Sequence, residues 1–160
     1  MDLILGQSKL GKAVFANKDF KKGEEIIEWK GSVLSKEELP LIRTAEDDRF
    51  TQIGKDKYIG ESGELDDFFN HSCNPNAGLL FEEKILLIAI KQIKKGDEIT
   101  WDYSTTMDED DWEMDCLCES KNCRKKIRDF KYLPKEIQQK YIKLGIVPKY
   151  ILKNLQRNTE

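Results

Sequence analysis

The chain has 160 residues and a net charge of −3, from 27 Lys and Arg against 30 Asp and Glu. That length predicts one domain with its own core, and the near balance of charge argues against broad phosphate-driven nucleic-acid binding. The longest apolar run, Ile85-Leu86-Leu87-Ile88-Ala89-Ile90, falls far short of the ~18 residues of a membrane span and reads as a buried strand.

In chain order, a short apolar strand is expected at residues 3–5, a turn-rich stretch at 6–12 and a second strand at 13–16. Phe20-Lys21-Lys22-Gly23-Glu24-Glu25-Ile26-Ile27-Glu28-Trp29 follows. A near copy lies at Ile93-Lys94-Lys95-Gly96-Asp97-Glu98-Ile99-Thr100-Trp101. In each, a Lys-Lys-Gly turn opens a β-branched strand that ends near a tryptophan, so the pair reads as two similar hairpin entries. Ser35-Lys36-Glu37-Glu38 has capping-box spacing and predicts a short helix limited by Pro40. Strands are predicted at 51–53 and 57–59, a loop at 60–63, a hairpin of 78–81 with 84–90, and a strand at 98–103. Residues 108–111 are expected to form an acidic loop. Residues 133–144 and 148–155 have helical spacing, with Gly145 as a stop and Pro134 and Pro148 at first-turn positions. The sum is a mainly β (α+β) chain of many short strands with a helical tail.

Three of the four cysteines lie in Cys116-Leu117-Cys118-Glu119-Ser120-Lys121-Asn122-Cys123. This Cys-x-Cys-x4-Cys run can wrap one face of a zinc ion, and tetrahedral closure calls for a fourth ligand from elsewhere. The remaining cysteine, Cys73, shares the loop Asn70-His71-Ser72-Cys73-Asn74-Pro75-Asn76 with the chain's single histidine. Cys73 is the preferred fourth ligand and His71 the alternative. No secretory leader is visible at the N-terminus, so a reducing compartment is expected, where clustered cysteines favour metal over disulfides. Such a metal would tie the 70–76 loop to the segment after Tyr103.

Asn-His-Ser-Cys-x-Pro-Asn at 70–76, Gly-Asp-Glu-Ile-Thr-x-Asp-Tyr at 96–103 and Cys-x-Cys-x4-Cys at 116–123, in that order, resemble the SET-domain protein lysine methyltransferases. Leu10-Gly11-Lys12-Ala13-Val14-Phe15-Ala16 looks like that family's N-terminal Gly-x-Gly motif. The resemblance covers roughly residues 5–126. It implies a SET-domain β fold of short sheets with a knot-like crossing, S-adenosylmethionine on one face and a lysine channel opening on the other. The expected segments are a SET domain at 1–110, a post-SET zinc-binding segment at 111–126 and a helical extension at 127–160.

Carried over residue by residue, the resemblance makes Tyr103 the catalytic tyrosine. The main-chain groups of Leu10 and Lys12, with Asn70 and His71, would hold the cofactor, and Leu117 would lie against its adenine. Trp29 and Trp101 would line the substrate channel. Cys73, Cys116, Cys118 and Cys123 would hold a structural zinc. The chain departs from the family at Ala13, where glycine is frequent, and at Asp67, where an arginine is usual. Trp29 and Trp101 stand where relatives carry tyrosine, and phenylalanine or tyrosine. Trp101 lacks a phenol hydroxyl, which favours higher methylation, but it is larger, which opposes it, so the methylation state stays open.

The chemistry suits these residue types. A methyl group passes in line from a sulfonium to an amine, so positioning outweighs acid–base work. The amine must be neutral, although a free lysine has a pKa of about 10.4. A nearby cation and an apolar channel favour proton loss. An acidic rim of residues 108–111, Glu113 and Asp115 would attract a basic protein or peptide, histone-like or ribosomal. No direct nucleic-acid contact and no membrane association is expected. The place of action is expected to be cytoplasmic, or nuclear if the substrate is chromatin. The competing reading, of another class, is a zinc-stabilised SET-like binding module for basic peptides with little or no activity. A zinc ribbon that binds nucleic acid is disfavoured by the missing basic stripe.

Overall fold

The computed structural model describes residues 1–44, 48–110 and 112–157. Leu3–Ser8 (β1) and Gly11–Ala16 (β2) form an antiparallel hairpin paired from Leu3↔Ala16 to Ser8↔Gly11. The strands therefore run through most of the stretch expected to be turn-rich, leaving only Lys9 and Leu10 as the turn. Gly11 permits this tight reversal, because it takes a φ of +101° that a side chain would oppose.

The other strands among the described residues are short. They are β3 (Glu25–Glu28), β4 (Val33–Ser35), β5 (Thr51–Gly54), β6 (Lys57–Ile59), β7 (Asn70–His71), β8 (Ala77–Phe81), β9 (Ile85–Ala89), β10 (Thr100–Trp101), β11 (Met114–Asp115) and β12 (Lys126–Ile127). Two three-stranded sheets have the orders β3-β9-β8 and β4-β6-β5, and β11 pairs with β12. The helices are α1 (Lys135–Lys143) and α2 (Lys149–Arg157), separated at Gly145 as expected.

Two predicted elements come out shorter, each for a local reason. The strand expected at 98–103 is only β10, because Tyr103 opens a 3-10 turn (Tyr103–Thr105) whose cap, Asp102, accepts the Ser104 N–H. The helix after Ser35 is one 3-10 turn (Lys36–Glu38), with the Ser35 N–H bound to Glu38 Oε2 at 2.7 Å. Phe20, just before the first Lys-Lys-Gly turn, bridges Ile93, exchanging two backbone bonds of 2.8 and 3.0 Å. The two Lys-Lys-Gly copies are thus paired in space at their starts.

The crossing that builds the site is the parallel pair β7–β10, in the register Asn70↔Thr100 and His71↔Trp101. Asn76 reinforces it: its Nδ2 donates to Glu98 O at 2.8 Å, and its Oδ1 accepts the Thr100 N–H at 2.9 Å. A main core of Val14, Phe20, Leu79, Leu87, Ile93 and Ile99 lies beneath. A second cluster, including Phe130, Leu133, Tyr141, Ile146 and Ile151, joins the tail helices to Ile88 and Ile90. The two meet closely at Gly78, where an added Cβ would lie 2.8 Å from Ile146. The tail is therefore packed on the sheet rather than trailing from it.

Candidate active site and metal centre

One cavity of about 920 Å³ runs between the β1–β2 turn, the β7–β10 crossing and the cysteine loop. Leu10, Lys12, Trp29, Asn70, His71, Trp101, Tyr103 and Leu117 all line it, together with Cys116 and Cys118. The size is within the ordinary range for a ligand site of roughly 300–1,000 Å³. Residues from five separate stretches of sequence meet here because the crossing places them side by side.

Asn70 joins two walls: its Nδ2 donates to Lys12 O at 3.2 Å and to Glu98 Oε1 at 2.9 Å. Ala13, the departure from Gly-x-Gly, is fully buried in the core and its methyl does not line the cavity. Asp67, which replaces the usual arginine, has a local task. Its carboxylate accepts the N–H groups of Ser62 and Gly63 at 3.0 and 2.8 Å and so folds the 62–67 turn.

An aromatic cluster forms the inner part of the cavity. Trp29 meets Trp101 edge-on with centroids 5.4 Å apart, Phe69 lies 5.8 Å from Trp29, and Tyr103 lies 4.8 Å from Trp101. The Tyr103 hydroxyl donates to Phe69 O at 2.8 Å, which fixes the ring. Burial raises the Tyr103 phenol well above its ordinary pKa, so it stays neutral. Among the described residues, Trp101 Nε1 is the buried side-chain polar atom without a hydrogen-bond partner. Leaving such a donor unmet costs about 1–3 kcal/mol.

Beside this cluster lies a group of four potential metal donors, His71, Cys73, Cys116 and Cys118, within 4.8 Å of one another. The Cys73 and Cys116 sulfurs are 3.7 Å apart. With metal–sulfur bonds of about 2.3 Å, a tetrahedral edge would be about 3.8 Å, so these two thiols already fit a zinc site. Backbone N–H groups aim at the sulfurs: Arg124 N at Cys73 Sγ (3.4 Å) and Cys73 N at Cys118 Sγ (3.5 Å). Burial pushes the Cys73 thiol up to about 11 and raises Cys116 as well. At Cys118 burial acts the same way, but hydrogen bonds from Ser120 and the Cys73 amide outweigh it and hold the thiol below its usual value. A cation is what would ionise all of these thiols together.

Cys123 was expected in the ligand set, and it packs in the same apolar cluster. Its Sγ is turned towards Cys116 O at 3.7 Å, outside the group of four. His71 takes its place within that group. However, His71 Nδ1 accepts the Tyr103 N–H at 3.2 Å, so in the neutral ring Nε2 carries the proton. Nε2 faces Cys73 Sγ at 3.4 Å and is therefore a donor to sulfur, not a lone pair for a metal. Burial pushes the His71 pKa down to about 4 despite the pull of Asp102, so the ring is neutral near pH 7.

Asp102, Arg124 and Phe69 also take part in the site, without a role marked by any of the sequence motifs. Asp102 is almost wholly buried and accepts from Arg124 Nη2 (2.8 Å), Ser104 N (3.1 Å) and Tyr141 Oη (2.9 Å). Asp102 stands inside the 96–103 motif next to Tyr103, which was the available signal. Arg124 and Tyr141 carried none.

The acidic stretch is not a free rim. Glu109 is bound by Arg43 (2.7 Å) and Tyr58 Oη (2.9 Å), and Asp110 pairs with Lys131. Lys126 reaches both Glu113 and Asp115. Asp111 lies outside the described residues. The basic residues that pair with Glu109, Asp110, Glu113 and Asp115 come from elsewhere in the chain, so the run of acids read alone does not show that part of its charge is compensated.

A buried aromatic pocket beside a cysteine-rich loop, built on the crossing of two short parallel strands, defines a SET-type domain. The family model for the SET domain matches residues 11–104, and the chain belongs to the SET-domain family. It is 37% identical over 135 residues to the "Variant-silencing SET domain-containing protein" of Plasmodium falciparum (isolate 3D7), covering 72% of this chain and 5% of that one. It is 28% identical over 137 residues to the "Histone-lysine N-methyltransferase trr" of Drosophila melanogaster, covering 78% of this chain and 6% of that one. Among solved structures, KRYPTONITE "in complex with mCHH DNA, H3(1-15) peptide and SAH" superposes with a TM-score of 0.63 at 23% identity, covering 78% of this chain and 29% of the other. The chain thus spans a small fraction of the length of these relatives.

Proposed function

We propose that the chain is an S-adenosylmethionine-dependent protein lysine N-methyltransferase acting on a lysine in a basic, histone-like segment. The observation that carries this is the cavity: every residue expected to touch cofactor or substrate lines it, and Tyr103 sits in its aromatic part. The name of the fly relative and the peptide and SAH in the KRYPTONITE complex support the same reading. Its place of action would be wherever such a segment is found, chromatin included. No described helix is long and apolar enough to cross a membrane.

S-adenosylmethionine, when bound, supplies a methyl group activated by a sulfonium charge. The main-chain groups of Leu10 and Lys12 and the loop at Asn70 and His71 would hold it, with Leu117, which is exposed, available to lie against its adenine. Asn70 keeps those walls in register through Lys12 O. Trp29, Phe69 and Trp101 exclude water from the lysine side chain, and an apolar surround favours its neutral form. The Tyr103 hydroxyl donates a hydrogen bond to Phe69 O, which leaves its oxygen lone pairs to orient the amine and, through weak C–H···O contacts, the polarised methyl group. Positioning supplies the rate, and no residue of the chain has to act as a strong base.

For the zinc site, Cys73, Cys116 and Cys118 would supply three thiolates and Cys123 the fourth. The donor role of His71 Nε2 supports this set over one that includes the imidazole.

The test is transfer of a radiolabelled methyl group from S-adenosylmethionine to mixed histones and cell-extract proteins, with Tyr103→Phe as control. Transfer by the parent and loss of about 100-fold or more in the variant are expected, since removing one preorganised active-site group costs on the order of 10²–10³. No transfer to any protein, with cofactor binding intact, would sink the enzyme reading in favour of the binding module.

A further inference from the structure

Residues 102–110 carry Tyr103 at one end and form a wall of the cavity, with Thr106, Met107 and Glu109 among its lining. After its own 3-10 turn this segment lies in no strand. Side chains from the tail hold it along its length. Tyr141 Oη donates to Asp102 Oδ2 at 2.9 Å. Tyr150 Oη donates to Thr106 O, and Asn154 Nδ2 to Asp108 Oδ2. The Asp129 carboxylate accepts the N–H groups of Glu109 and Asp110 at 2.9 and 2.8 Å.

We propose that the tail is part of the active-site framework, with Tyr141 of α1 as a positioning residue for Tyr103. The route is short and buried. Tyr141 fixes one oxygen of Asp102, and the other oxygen caps the turn at Ser104 N, one residue from the catalytic phenol. That same oxygen holds Arg124, whose N–H points at Cys73 Sγ. One hydroxyl on a tail helix thereby sets both the Tyr103 turn and the wall shared with the metal centre. Tyr141 and Asp102 are each about 1% exposed, so water cannot replace the hydroxyl easily when it is removed.

The inference rests on the methyltransferase reading for its kinetic arm. The experiment compares the full zinc-loaded chain with Tyr141→Phe, and with Tyr132→Phe, the same chemical change at a half-exposed tail position. At a temperature where all three are folded, Tyr141→Phe should lower kcat about tenfold or more, because small misplacements of reacting groups carry penalties of that order. KM for S-adenosylmethionine should stay within about twofold, and Tyr132→Phe should match the parent. Hydrogen exchange should quicken in residues 103–108 of Tyr141→Phe and not in β8 and β9. Unchanged kcat with unchanged exchange overturns the proposal, as does exchange that quickens uniformly, which would mark a merely structural role. If the parent itself transfers no methyl group, the methyltransferase reading fails, and the exchange pattern alone still decides whether Tyr141 holds the turn.

Discussion

Replacing Asp102 by asparagine removes a charge from a carboxylate that Arg124, Ser104 and Tyr141 all use, and keeps its shape. The partner guanidinium of Arg124 is only 16% exposed and lies 2.8 Å away. Breaking a buried pair by neutralising one member costs about 3–5 kcal/mol, because the other charge is left without compensation. For a chain of this size each kcal/mol shifts the thermal midpoint by about 2–4 °C, so Asp102→Asn should lower it by about 6–20 °C. The assay is thermal unfolding followed by circular dichroism at fixed zinc concentration, since bound metal stabilises the folded state. Adding Arg124→Met removes the orphaned charge and should restore more than half of the loss, a coupling that a double-mutant cycle reads directly. A fall below about 2 °C, or additive losses in the double variant, would show that the pair carries no such burden and would refute the account of Asp102 as the anchor of the Tyr103 turn.

The purified chain should bind about one zinc, lost in Cys116→Ser and in Cys123→Ser but kept in His71→Gln, as read by elemental analysis. Retention in Cys123→Ser with loss in His71→Gln would assign the fourth position to the imidazole. The rate should rise between about pH 7 and 10 as the substrate lysine loses its proton. It should not turn down near pH 10, because burial raises the Tyr103 phenol above the ordinary tyrosine value and keeps it protonated there. A downturn below about pH 10 in folded protein would contradict the neutral-phenol role.

Much of the site was legible because its parts are local. Asn70 to Asn76 and the cysteine run announce themselves by residue type and spacing, and turn formers mark the loops they occupy, whereas Tyr103 stands out only through the family resemblance of the 96–103 motif. The capping box at Ser35 and the stop at Gly145 were legible for the same reason. What was hidden depends on remote pairing. Neither Arg43 nor Lys126 shows in the sequence that it pairs with acids of the 108–115 stretch. The strand at 98–103 reads as continuous because Ile99, Thr100 and Trp101 favour strand, whereas Asp102 spends its side chain on capping a turn. The tail showed helical spacing, but the hydroxyls of Tyr141 and Tyr150 were only two aromatic rings in an apolar pattern. Their hydrogen bonds to Asp102 and Thr106 arise from tertiary packing around Ile146 and Gly78, which no local pattern encodes.

The most direct measurement of the central claim is to incubate the chain with methyl-labelled S-adenosylmethionine and a basic histone-tail peptide, and to locate the label by tandem mass spectrometry. The account predicts label on the side-chain nitrogen of a lysine, abolished by Tyr103→Phe with cofactor affinity retained. Label on another residue type, or equal label with the Tyr103→Phe variant, would contradict it.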